Sequence, residues 1–249
     1  MGEITDDAII LDAIPYQDRH QVLSALTAGH GLVRGVLRGS RGGKTPSASA
    51  TQILSRVRID IFRAPTAELA TFRNVDLVRP SFALAETLER SAAAAVISEL
   101  IITFCPPSAP VPRHFRLADA VTRALLAGLD PAGLVAYTEL WVLALEGILP
   151  PLDTCAACAA PLVDPPRLRT GDGHPLCPRC ATPSSPTLEA KAMVFLRACL
   201  QAPPERVAVR PPPGQVAGWL DRLVRNEADR PIRALEFFRR VMGTEFPRP

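Results

Sequence analysis

Gln52-Ile53-Leu54-Ser55-Arg56-Val57-Arg58-Ile59-Asp60-Ile61-Phe62 alternates between two chemistries. Ile53, Val57, Ile59 and Ile61 fall on one face and Arg56, Arg58 and Asp60 on the other, because successive strand residues point to opposite sides of a sheet. The segment reads as a half-solvated strand with its arginines outward. Upstream, residues 19–27 and 32–38 are two more β-type runs joined by Ala28-Gly29-His30-Gly31, where glycine supplies the positive backbone angles of a tight hairpin.

Residues 8–14 and 69–78 add two further strands. Five short strands packed into so few residues suit a small closed β-barrel of the OB type, although a sandwich would give the same signals. After Pro80 the period changes. Leu84, Leu88, Ala92, Val96 and Leu100 recur every four residues, one stripe of an amphipathic helix. Residues 115–129 and 134–148 continue the pattern, the second behind Asp130-Pro131, an N-cap followed by proline at the first turn. Residues 188–200, 216–224 and 232–242 are three more helices.

The chain has 249 residues, 47% of them hydrophobic, and 26 prolines, about twice average usage. The prolines gather at 106–112, 150–166, 203–213 and 246–249 and mark boundaries. The expected organisation is an α+β chain: an OB-type five-stranded barrel over 1–79, then an α-helical domain over 80–249 with a four-cysteine insertion at about 150–185. The first seven residues are acidic where a secretory signal is basic. The most membrane-like stretch, 91–105, carries Glu99 and ends at Pro106, short of the ~20 apolar residues of a span. Both point to a cytoplasmic protein with no membrane attachment.

Within the insertion, Cys155-x-x-Cys158 is followed after 18 residues by Cys177-x-x-Cys180, the spacing of four-cysteine zinc sites. Each pair forms a knuckle, and Gly171-Asp172-Gly173 is a turn that lets the intervening segment fold back as a ribbon. Two disulfides are the alternative, disfavoured in a reducing compartment. A thioredoxin-type pair would open a helix within a βαβ unit, whereas these cysteines lie in proline- and glycine-rich sequence. Four sulfur ligands leave no open position for water or substrate, so the expected ion is one structural Zn²⁺ per chain. His174 is near enough to substitute as a ligand, or is an exposed turn residue. Cys105 and Cys199 sit among apolar neighbours and read as core.

Between Asp18 and Asp60 there is no acidic residue, while Arg19, Arg34, Arg38, Arg41, Lys44, Arg56 and Arg58 all lie there. The net charge of the whole chain is only +3, so this local excess carries the argument. Like charges gather where an anion offsets them. Arg34 and Arg38 share a strand face by spacing, the Gly- and Ser-rich loop 39–49 carries Arg41 and Lys44, and Arg56 and Arg58 extend the patch across the sheet; solubilising arginines would give the same pattern. Phe62 and Phe72 are the aromatic residues nearby, which favours backbone over base recognition. On the last helix, Arg230, Arg233, Arg239 and Arg240 flank an apolar stripe, either as a second DNA contact or as the outer face of a packing helix.

No Gly-x-x-x-x-Gly-Lys-Ser/Thr loop, His-Glu-x-x-His or Gly-x-Ser-x-Gly motif is present, and the four histidines suggest no nucleophile–base pair, so the chain is expected not to be an enzyme. A zinc-dependent hydrolase is the weakest rival reading. A zinc-ribbon adaptor that binds proteins and touches DNA incidentally is the stronger one.

In this order, the opening strand, the hairpin ending Arg34-Gly35-Val36-Leu37-Arg38-Gly39-Ser40-Arg41, the strand 52–63, the helices after Pro80 and the cysteines after Leu149-Pro150-Pro151-Leu152 resemble the RecO family of bacterial recombination mediators. The resemblance implies an N-terminal OB domain followed by a helical domain with a zinc ribbon. It also implies binding to single- and double-stranded DNA, annealing of complementary strands, and work with RecR and against the single-strand DNA-binding protein so that RecA loads, in the cytoplasm at the nucleoid. It places Arg34, Arg38, Arg41 and Lys44 on the DNA-facing hairpin and loop, and the cysteines at zinc. Some family members lack the cysteines, which separates zinc from the shared activity. The loop here carries fewer charges than in many relatives.

Overall fold

The computed structural model describes residues 3–17, 19–39, 47–63, 67–106 and 109–243, in two compact units, 1–127 and 128–249. The first unit is built on five strands: β1 (Glu3–Tyr16), β2 (His20–Thr27), β3 (Gly31–Leu37), β4 (Arg56–Phe62) and β5 (Ala70–Arg79), with a single helical turn, α1 (Ser47–Ala50), before β4. They close into a barrel in the order β1-β2-β3-β5-β4. The hairpin β2–β3 turns where expected, with Gly31 at φ 72°.

β1 is longer than the predicted 8–14 because it serves two neighbours. Its first half pairs antiparallel with β4, from Glu3↔Phe62 to Ile9↔Arg56, and its second half with β2, from Ala8↔Thr27 to Tyr16↔His20. The two pairings overlap at Ala8 and Ile9, and a bulge between Ile10 and Asp12, within the pairing to β2, bends the strand just past the end of its pairing to β4. Residues 3–7, outside the predicted strand, take strand form from pairing with β4.

The strand predicted over 52–62 begins only at Arg56. Leu54 has φ 63° and its N–H donates to the Ile10 carbonyl at 2.6 Å, so residues 52–55 turn into the barrel and Ile53 is not on the strand. The alternation holds beyond that point: Val57, Ile59 and Ile61 are buried with Ala8, Ile10, Leu23, Ala25, Val33 and Phe72. Closure depends on a short parallel pairing of β3 with β5, Gly35↔Ala70, Val36↔Thr71 and Leu37↔Phe72. A Cβ on Gly35 would stand 2.8 Å from the Phe72 ring and 2.9 Å from the Ala70 carbonyl oxygen. Only a residue without a side chain fits.

A 3₁₀ turn (Phe82–Ala85), α2 (Leu88–Phe104) and α3 (Pro112–Leu126) complete this unit. Asp119 of α3 accepts from Arg79 at 2.8 Å and from Arg56 at 3.5 Å, which ties the helix to the barrel, and forms an ion pair with Arg123 of its own helix at 3.2 Å. The last barrel strand ends at Arg79, and the compact unit runs on to 127. α2 is buried over more than the four-residue stripe: Ala93, Ala94, Ile97 and Ile101 are as buried as Ala92, Val96 and Leu100, whereas Leu88 is exposed.

In the second unit, α4 (Pro131–Leu145) starts as predicted, the Asp130 carboxylate accepting from the Gly133 N–H at 2.7 Å. The two-residue strands β6 (Arg167–Leu168) and β7 (Pro175–Leu176) form a ribbon, followed by α5 (Ala190–Gln201), α6 (Pro204–Val207), α7 (Gly214–Glu227) and α8 (Arg233–Val241). Arg239 of α8, one of the arginines read as flanking the outer face, points inward. It donates to Asp221 of α7 at 2.8 Å and Glu139 of α4 at 3.3 Å, and all three are buried. Arg230, Arg233 and Arg240 are exposed. Burial, then the Asp221 charge, raises the Glu139 carboxyl well above its ordinary range, with Arg239 pulling the other way.

Gly35→Ala is expected to cost roughly 1–3 kcal/mol of barrel stability, as overpacking does, read from urea unfolding. For Glu139 the folded form binds its proton more tightly than the unfolded form. Its contribution is therefore full below the ordinary glutamate pKa and is lost as pH rises through the raised value. Glu139→Gln should flatten that part of the pH–stability curve.

Candidate nucleic-acid interface and metal centre

The insertion places its four cysteines in two knuckles. In the first, the Ala159 N–H donates to the Cys155 carbonyl at 2.8 Å, with Ala159 at φ 56°. In the second, the Cys180 and Ala181 N–H groups both donate to the Cys177 carbonyl at 3.0 Å. The Ala156 N–H donates to Pro175 O at 2.9 Å and brings the first knuckle to the ribbon. The ribbon turn is held by α7, whose Trp219 Nε1–H donates to Gly173 O at 2.8 Å.

The four sulfurs lie within 4.8 Å of one another, and Cys158 Sγ to Cys177 Sγ is 3.7 Å. A tetrahedron with ~2.3 Å metal–sulfur bonds has edges of about 3.8 Å, whereas a disulfide needs about 2 Å. The arrangement therefore fits one metal ion. The protonation balance agrees. Burial raises the Cys155 thiol, but backbone hydrogen bonds from Cys177, Ala157 and Cys158 outweigh it and bring it down to about 6. The backbone of Cys180 lowers Cys177, while hydrogen bonding to Cys158 and Cys177 pushes Cys180 up to about 12. A bound dication favours the thiolate form of its sulfur ligands. His174 is outside the group, 3.7 Å from Asp172. Cys105 and Cys199 are buried, as expected.

The basic residues divide into two sets. Arg34 lies on β3 opposite Ser24, exposed, and Arg38 is exposed just beyond the strand's end. Among the described residues, neither is held by an ion pair. Arg41 and Lys44 lie outside the described residues. Arg56 belongs to a different environment: it donates to Asp7 at 2.8 Å and Asp119 at 3.5 Å and lies 5.7 Å from the Phe115 ring centre. The hydrogen bond to Asp7 raises its pKa further, against partial burial. Arg58 is exposed, but its register partners are Asp7 on β1 and Asp76 on β5. The acid-free stretch of sequence is therefore not acid-free in space on the β4 side, and β5 separates β4 from β3.

The chain matches the family models for the N-terminal domain of recombination protein O over residues 1–81 and for its C-terminal domain over residues 85–232. It belongs to the RecO family. A DNA repair protein RecO of Anaeromyxobacter sp. (strain K) is 32% identical over 73% of this chain and 72% of its own length. Those of Geobacter sulfurreducens and Myxococcus xanthus are 27% and 26% identical over 97% of this chain and 99% of theirs. The barrel and the helices are thus those of a member of the RecO family of DNA repair proteins. No helix among the described residues is long and apolar enough to cross a membrane.

The β3 side of this RecO barrel carries a basic residue that sequence reasoning passed over. Beyond the last β3–β5 pair, Leu37↔Phe72, stand Arg38 and Arg73. The Arg73 guanidinium lies 4.8 Å from the Phe62 ring centre. Phe72, proposed beside Phe62 as a nearby aromatic, is buried in the core, whereas Phe62 is only half-buried. Arg73 was hidden by its position past Asp60. The signal that could have found it is strand alternation carried into β5.

Metal analysis of the purified protein should find about one ion per chain. Cys177→Ser should lower that content and the thermal midpoint together.

Proposed function

We propose that this RecO protein binds single- and double-stranded DNA largely independently of sequence, through the barrel domain of residues 1–79. The observation that carries this reading is the exposed pair Arg34, on β3, and Arg38, just past its end, held by no carboxylate among the described residues. Arg41 and Lys44 follow them in sequence and extend the same charge. Arginines of this kind neutralise phosphates and release counterions. Two strands brought to one such surface repel each other less, so base pairing itself drives annealing without covalent chemistry. Arg56 is not part of the surface, being neutralised by Asp7 and Asp119, and Arg58 is a peripheral contributor between Asp7 and Asp76.

The four-sulfur donor set suits a structural Zn²⁺ ion, and in this reading the ion braces the helical domain, 80–249, with its insertion at about 150–185. As in the family's described role, the protein acts with RecR at the nucleoid to displace the single-strand DNA-binding protein and load RecA. The names of the RecO relatives as DNA repair proteins support this reading.

Alanine at Arg34, Arg38, Arg41 and Lys44 together should slow annealing of complementary oligonucleotides and reduce the slope of log affinity against log salt by ~0.9 for each duplex phosphate that is no longer neutralised. An unchanged annealing rate with an unchanged salt slope would refute the assignment.

A further inference from the structure

We infer that Cys158 is a peroxide-reactive sulfur whose oxidation replaces the metal ion of the ribbon by a Cys158–Cys177 disulfide, making the insertion a reversible redox element. The inference rests on the four sulfurs holding a metal ion. It adds that the centre responds to an oxidant of the hydroperoxide class.

The four sulfur ligands are not equally covered. Cys155 and Cys177 are buried and Cys180 is half-buried, whereas Cys158 is exposed. Susceptibility to peroxide follows thiolate character and access together, and a reversible response needs a second sulfur close by to resolve the first product. A bound dication favours thiolate at every ligand, so access decides which sulfur is attacked. The resolving sulfur is in place: Cys177 Sγ stands 3.7 Å from Cys158 Sγ, which leaves less than ~2 Å to close before the S–S distance of a disulfide is reached. Cys105 and Cys199 are buried outside the cluster.

In the first step the Cys158 thiolate attacks a peroxide oxygen. An S–O bond forms, the O–O bond breaks, and hydroxide leaves with the electron pair of that bond, so Cys158 becomes a sulfenic acid. The Cys177 thiolate then attacks the sulfenic sulfur; the S–S bond forms, the S–O bond breaks, and a second hydroxide leaves. With two protons from solvent, two thiolates and one hydrogen peroxide give one disulfide and two waters. Cys155 and Cys180 alone are too few ligands for a tetrahedral four-sulfur site, and the ion is lost.

The ribbon keeps its shape through this exchange because several of its fastenings do not use the metal. The Ala156 N–H donates to Pro175 O at 2.9 Å, which holds the first knuckle beside the strand leading to Cys177. Trp219 of α7 holds the ribbon turn through Gly173 O, and Arg197 of α5 donates to Leu152 O at 2.7 Å and to Asp164. The new disulfide closes the same 18 intervening residues that the metal closes. A dithiol reductant, itself oxidised to a disulfide, returns both thiolates.

The test adds hydrogen peroxide stepwise to the purified, reduced, zinc-loaded protein, follows released zinc with a chromogenic chelator, and maps the cysteines by peptide mass spectrometry. About one ion per chain should be lost in step with the appearance of a single Cys158–Cys177-linked peptide. With dimedone present, which traps sulfenic acids, the adduct should form on Cys158 and on no other cysteine. Dithiothreitol with added Zn²⁺ should remove the link and restore the ion. Zinc retained while peroxide is consumed, a first adduct on another cysteine, a disulfide within either knuckle, or a product that dithiothreitol does not reverse would each overturn the inference and leave the metal centre standing. Reduced protein that takes up no zinc would overturn the metal reading beneath it.

Discussion

The barrel is closed by three residue pairs. β3 and β5 meet in parallel over Gly35–Leu37 and 70–72 alone, and parallel ladders are slightly weaker per residue than antiparallel ones. What compensates is the Phe72 ring, which occupies the place a Gly35 side chain would need and fills the core beneath the seam. The same seam decides what appears outside. Without it the strands would form an open sheet, and the end of β3 would have no reason to lie beside β5. Arg38 and Arg73 are neighbours because a phenylalanine and a glycine fit together one layer below.

Much of this was legible in the residues. Alternation at Val57, Ile59 and Ile61, the glycine turn before β3, the Asp130-Pro131 helix start and the cysteine spacing each express a local rule, and each holds in the structure. The failures are those where a distant partner decides. Residues 3–7 become strand because β4 lies alongside them. Residues 52–55 leave the strand because Leu54 and Ser55 bond to Ile10. The run without acids in sequence gains acids in space: Asp7, Asp76 and Asp119 come from before and after it. Arg239 looked like a surface residue until α4 and α7 supplied Glu139 and Asp221.

Arginine thus does two opposite jobs in one chain. Arg56, Arg79 and Arg239 cross-link elements, and their charge is spent on carboxylates. Burying such groups is costly, and the ion pairs mainly offset that cost. Arg34 and Arg38 keep their charge for solvent or for a ligand. Burial, with the Asp221 carboxylate beside it, explains why Glu139 holds its proton so firmly although Arg239 pulls the other way.

A closed barrel is convex on its outside, and the strands from β1 to β4 by way of β2, β3 and β5 wrap around that curve within about four interstrand steps of ~4.8 Å. Curvature is itself a filter. Double-stranded DNA stays nearly straight over ~150 base pairs and can touch such a surface only along a tangent, one or two strands wide. A flexible single strand can follow it from end to end.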